Sequence, residues 1–208
     1  MSSTDDLIAG LAAEGVTPAS HALRRFVMPL VAVSVISAGF WLAMLGKPFT
    51  AVEVYGPVPM MVKWGFSLPL VFGSAWALHA LGRPGQDAHR RMLCLAIPFA
   101  LAAVVLAIDL AIGGGRFPGA TWDRCLIAMG TFGPICFAGA IIATRWLAPT
   151  ELRKAGAVAG IFGGSVAMSA YAPFCPELGM LFMTTFYILP ILAMAAIGWL
   201  LGPKLLRW

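Results

Sequence analysis

Residues 92–112 read MLCLAIPFALAAVVLAIDLAI, and Asp109 is the one formal charge among them. At a rise of about 1.5 Å per residue, a helix of this length crosses a hydrocarbon layer about 30 Å thick. No water reaches the backbone in that layer, and a helix bonds each N–H and C=O within its own segment. The run therefore reads as a transmembrane helix. Working outward from it, comparable runs occupy about 26–46 and 60–81 on one side, and about 125–147, 155–172 and 180–201 on the other. Lys47-Pro48, Gly82-Arg83-Pro84-Gly85, Gly113-Gly114-Gly115-Arg116, Ala148-Pro149-Thr150-Glu151 and the stretch from Pro173 to Gly179 separate them with turn formers and charges.

The pattern predicts an all-α polytopic membrane protein: a bundle of six transmembrane helices over residues 26–208, preceded by a cytoplasmic segment, residues 1–25, with a short helix of its own. Composition agrees, since the 208 residues are 60% hydrophobic and 11% charged, whereas soluble domains carry about 25% charged residues. Six spans and their turns fill the length, leaving no room for a soluble enzyme domain. The net charge of +5 does not mark a nucleic-acid binder, because the basic residues lie at the ends of apolar runs and form no aromatic-laced stripe. A cleavable secretory signal is also not expected, as Asp5, Asp6 and Glu14 precede the first apolar run.

Basic loop residues are retained in the cytoplasm and so set the orientation. With the N-terminus inside, Arg24, Arg25, Arg83, Arg90, Arg91, Arg145, Arg153, Lys154, Lys204 and Arg207 are cytoplasmic, ten of the fourteen Lys and Arg. Lys47, Lys63, Arg116 and Arg124 fall outside. Both termini are expected in the cytoplasm, and the three outer segments are short.

Few polar residues interrupt the spans. Asp109 and Lys63 lie near outer helix ends, where Asp109 can pair with Arg116 or Arg124 and Lys63 can snorkel to the interface. His21, His79 and His89 share no metal-ligand spacing. Gly156, Gly160 and Gly164 recur every four residues, which lets a neighbouring helix come close. Cys94 and Cys136 read as small packing residues. Cys125 and Cys175 fall on the same, oxidising side of the membrane, where a disulfide, a shared ligand site or a chance coincidence all fit. The sequence has no C-x-x-C, which argues against a thiol oxidoreductase.

In the N-terminal segment, Ser3 or Thr4 can cap a helix, Asp5 and Asp6 suit its positive end, and Leu7, Ile8 and Leu11 share a face. About ten residues make a marginal helix in water, so the stripe needs a surface to lie on. Its acidic character disfavours an anionic membrane and favours a protein partner with a basic groove.

Five motifs together carry a resemblance: T-D-D-L-I-x-x-L-A-A at 4–13, R-P-G at 83–85, W-x-x-C-L at 122–126, Y-A-x-x-C-P-E at 171–177 and L-L-G-x-x-L-L-R-W at 200–208. In their order and spacing the chain resembles the six-span bacterial anti-sigma factors of the NrsF type. The resemblance implies a protein of the inner membrane whose N-terminal segment holds an extracytoplasmic-function sigma factor, with Asp5, Asp6, Leu7, Ile8 and Leu11 as the contact surface. It implies that Cys125 and Cys175 sense oxidants or heavy metals, and that these two would be the ligands if a metal is captured. Lipid and the sigma factor are the expected partners, with no direct contact to nucleic acid and no cofactor; the resemblance leaves the oligomeric state open. The chain departs from the pattern at Phe174, where a His often precedes the second cysteine, which weakens a nitrogen ligand there. It also departs at Thr185-Phe186-Tyr187, where the family's motif near the start of the last helix reads T-W-Y, a change read as packing. The competing function is a small-solute or ion transporter, which would need a polar path that the spans hardly offer.

Overall fold

The structure is a computed structural model that describes residues 19–46, 53–54, 56–83, 86–113, 119–177 and 179–207. The N-terminal contact surface predicted at Asp5, Asp6, Leu7, Ile8 and Leu11 lies outside the described residues. Six long helices follow in order: α1 (Ala19–Leu45), α2 (Val58–Leu81), α3 (Ala88–Ala111), α4 (Trp122–Arg145), α5 (Leu152–Tyr171) and α6 (Met180–Leu205). A short 3₁₀ turn, Ala172–Phe174, joins the last two. There is no β-strand among the described residues.

Each helix overlaps its predicted stretch, but α1 to α5 begin earlier than hydropathy suggests, α1, α3, α4 and α5 also stop slightly short, and α6 ends later. Hydropathy stops at the first charge, whereas Arg24, Arg25, Arg90, Arg91 and Lys204 are good helix formers that continue the backbone bonding. Five helical stretches are long and apolar enough to cross a membrane: Leu23–Leu45, Ala88–Ala111, Trp122–Arg145, Leu152–Phe174 and Met180–Leu205. The stretch expected as the second span forms a helix, the 24-residue α2. It is not among the five, and it carries Lys63, Ser67, Ser74 and His79.

Polar side chains on these helices turn back onto the carbonyl one turn earlier. Ser34 donates to Leu30 at 2.8 Å, Thr144 to Ala140 at 2.7 Å and Thr184 to Met180 at 2.8 Å. Such bonds make a hydroxyl tolerable where no water is at hand. Pro29, Pro69, Pro98 and Pro134 lie inside helices, as is common in membrane spans.

Helix α5 is the centre of the bundle and packs against α6, α4, α2 and α1, while α3 rests on α2 and the start of α6. Of the most apolar stretch of each, 78% is buried in α5 and 11% in α3. The glycine stripe explains the difference. A Cβ on Gly156 would run into the backbone of Gly198 and Gly202, and one on Gly160 into the carbonyl of Met194. With no side chain there, α5 and α6 approach backbone to backbone, as small residues permit between membrane helices. The packing reading of Gly156, Gly160 and Gly164 holds.

Candidate functional site: a paired thiol cluster

Four elements converge at the bundle end predicted to face outward. Cys125 sits in the first turn of α4, its N–H bonded to the Thr121 carbonyl at 3.2 Å. Cys175 follows the 3₁₀ turn in extended backbone, φ −109° and ψ 116°. The two sulfurs lie 3.4 Å apart, both as free thiols, both fully buried or nearly so. The Thr121 hydroxyl is 3.8 Å from the Cys175 sulfur. Glu177 accepts the Ala120 N–H at 2.8 Å and so ties the segment before α4 to the turn that carries Cys175.

Two further residues complete the cluster. Tyr187 lies in a π-helical turn, Thr184–Ile188, within α6. A π-turn bonds five residues apart and widens the helix locally, and such turns recur at functional sites. Here three successive side chains, Phe186, Tyr187 and Ile188, are all buried. The Tyr187 hydroxyl reaches the Cys125 sulfur at 3.2 Å. Lys63, in the second turn of α2, donates to the Cys175 carbonyl, and its ammonium lies 5.9 Å from the centre of the Tyr187 ring. It is 0% exposed. The expected snorkelling of Lys63 is therefore corrected: the side chain points into the bundle, because a carbonyl and an aromatic face are waiting for it there.

Aromatic rings pair near the cluster, with Trp41 against Tyr171 at 4.9 Å and Trp122 against Phe186 at 6.2 Å between centroids. The Phe186 that replaces the motif's tryptophan packs on Phe182 at 4.9 Å as well. Next door, the Trp64 indole donates to the Ser169 carbonyl at 2.9 Å, and Ser169 donates to Ser67 at 2.8 Å, pinning α2 to α5 beside the thiols.

The Cys175 thiol, in the turn beyond α5, is held well below the usual thiol range. The hydrogen bond from Cys125 is the largest cause, burial opposes it, and the positive charge of Lys63 adds to it. A low-lying thiolate beside a second thiol is the arrangement that forms a disulfide readily. Among the described residues no three His, Cys, Asp or Glu side chains are placed to hold a metal ion. The other cysteines differ from expectation in one respect: Cys136 is buried, but Cys94 is exposed on α3.

The structure thus brings together the two cysteines singled out by topology, and adds Lys63 and Tyr187. Lys63 was visible in the sequence as a lone charge inside an apolar run, and Tyr187 as part of a motif. Their inward aim depends on α2 packing and on the π-turn, neither of which periodicity reveals.

A family model described as "Negative regulator of sigma F", NrsF, matches residues 11–208. A protein of Azospira oryzae named "Probable anti-sigma-F factor NrsF" is 34% identical over 215 residues, covering 99% of both chains. One of Caulobacter vibrioides named "Anti-sigma-F factor NrsF" is 31% identical over 216 residues, again covering 99% of both. No solved structure matches the chain.

Proposed function

The chain belongs to the NrsF family of negative regulators of sigma F, and from that premise we propose a membrane-bound anti-sigma factor switched by oxidation of Cys125 and Cys175. It crosses the bacterial inner membrane six times, with both termini in the cytoplasm, an orientation supported by ten of fourteen basic residues lying on the inner side. The N-terminal segment, through Asp5, Asp6, Leu7, Ile8 and Leu11, holds a sigma factor of the extracytoplasmic-function class away from RNA polymerase. α2 serves as the sixth span, its polar groups turned into the bundle.

One observation carries the sensing step: two reduced, buried sulfurs in contact at 3.4 Å, supplied by segments 50 residues apart. Oxidation replaces that contact with a covalent bond between the start of α4 and the turn after α5, and so favours a different packing of the bundle. A hundredfold loss of affinity for the sigma factor needs about 2.7 kcal/mol of difference between the two packings. That lies within the usual range of allosteric couplings, about 1–3 kcal/mol.

The test is repression and induction by oxidant in cells carrying Cys125→Ser, Cys175→Ser or both. The variants are expected to repress normally and to lose induction; full induction in all three removes the thiols from the mechanism. Co-purification with the sigma factor, with and without residues 1–20, tests the partner assignment.

A further inference from the structure

Among the described residues Lys63 is the one charged side chain that is buried, and the one ion pair is Lys154 with Glu151, far from it in sequence and exposed. Lys63 is thus an ammonium at a bundle interior with no carboxylate within 4 Å among the described residues. Its contacts are the Cys175 carbonyl and the Tyr187 ring face, which offer a dipole and a quadrupole but no net negative charge. A buried cation needs an anion, and removing one partner of a buried pair is more damaging than never having had the pair. Three groups of the cluster can become anions, the Cys175 and Cys125 thiols and the Tyr187 phenol, and of these Cys175 is the residue whose carbonyl Lys63 already holds.

The remaining contacts fit that charge placement. With Cys175 as thiolate, the Cys125 S–H donates to it across 3.4 Å and the Tyr187 O–H donates to Cys125 across 3.2 Å. Every proton then has an acceptor, and the negative charge sits at the end of the relay.

Resting on the redox reading above, we propose that Lys63 is the counter-ion of a Cys175 thiolate, and that disulfide formation transmits the signal by depriving Lys63 of that counter-ion. A peroxide-class oxidant completes the chemistry. The Cys175 thiolate attacks one peroxide oxygen, the O–O bond breaks, hydroxide leaves and a sulfenic acid forms. The Cys125 sulfur then attacks the Cys175 sulfur, the S–O bond breaks, and the departing oxygen takes the Cys125 proton as water. Two electrons pass from the sulfurs to the peroxide, and the products are a disulfide, one water and one hydroxide. The negative charge leaves with the hydroxide while the ammonium stays. An unpaired buried cation drives α2 away from the cluster, toward water, and the bundle repacks. Lys63 is a positioning residue in this scheme, since it acts through Cys175.

The experiment uses the full chain in native membranes, as wild type, Lys63→Met and Lys63→Arg. Alkylation of Cys175 by N-ethylmaleimide is followed by mass spectrometry across the neutral and mildly acidic range. Lys63→Met is expected to move the midpoint to higher pH and to slow both alkylation and peroxide oxidation at neutral pH by about tenfold, with Lys63→Arg close to wild type. A wild-type pH profile in Lys63→Met overturns the pairing, and Lys63→Gln repeats the comparison where the methionine variant does not insert. For transmission, fully disulfide-bonded Lys63→Met should keep its sigma factor while oxidised wild type releases it; equal release overturns that half. Failure of the cysteine variants to affect induction would sink the sensing role, while the pH profile would still decide independently whether Lys63 pairs with the thiolate.

Discussion

The hydroxyl of Tyr187 meets the sulfur of Cys125 at 3.2 Å, joining the π-turn of α6 to the first turn of α4. Tyr187 is fully buried, so the hydroxyl has no water to fall back on. Tyr187→Phe keeps the ring and removes the bond, which is expected to destabilise the reduced protein by about 1 kcal/mol. Thermal unfolding in detergent, reduced wild type against variant, measures it, and an unchanged midpoint would show that the bond contributes nothing.

The Cys175 thiol is pulled down to about 5, first by the Cys125 hydrogen bond. A depressed value in the folded state means that the thiolate stabilises the fold above the ordinary thiol range, near pH 8.5. That contribution shrinks as pH falls from there and is gone below about 5. The difference in unfolding midpoint between reduced wild type and Cys175→Ala should therefore narrow as pH drops through this window. In the same series, Cys125→Ala should raise the pH at which Cys175 becomes reactive.

Gly160 faces the Met194 carbonyl so closely that a side chain there overlaps backbone, whereas a Cβ on Gly130 meets nothing within 4 Å. Gly160→Val is expected to lower stability by about 1–3 kcal/mol or to abolish insertion. Gly130→Ala should be near neutral. Yield in the membrane and unfolding midpoint of the pair give the comparison, and equal behaviour would refute close packing of α5 on α6.

Leu7→Asp combined with Leu11→Asp places charge on the face that the sequence predicts to be apolar in the N-terminal segment. The variant is expected to stay in the membrane and lose its hold on the sigma factor, raising reporter output to the level of a deletion. Intact repression would move the contact surface elsewhere in the chain.

The helices were legible because hydrocarbon imposes a single rule on backbone bonding, and a run such as 92–112 can obey it in one way. Their ends were less legible, since arginines such as Arg24 and Arg25 end a hydropathy window but not a helix. Cys125 and Cys175 could be placed on one side by topology alone. Lys63 could not be placed: a lysine near a span's end snorkels or buries according to what the neighbouring helices present to it, and the Cys175 carbonyl comes from 112 residues away. Tyr187 was hidden for a different reason, since no 3.6-residue pattern describes a turn bonded five residues apart.

That widened turn has a consequence for which changes the chain tolerates. Phe182 and Tyr187, five positions apart, bring their ring centroids to 6.3 Å, so the spacing across 180–188 is as constrained as the residues themselves. A substitution there is a graded fault, whereas losing a single position would rotate everything upstream against everything downstream by about 100°. The tyrosine would then miss its sulfur, or Gly198 and Gly202 would miss their seam on α5. Natural variation in this stretch should therefore keep Tyr187, trade other side chains within what their packing allows, and hold its length constant.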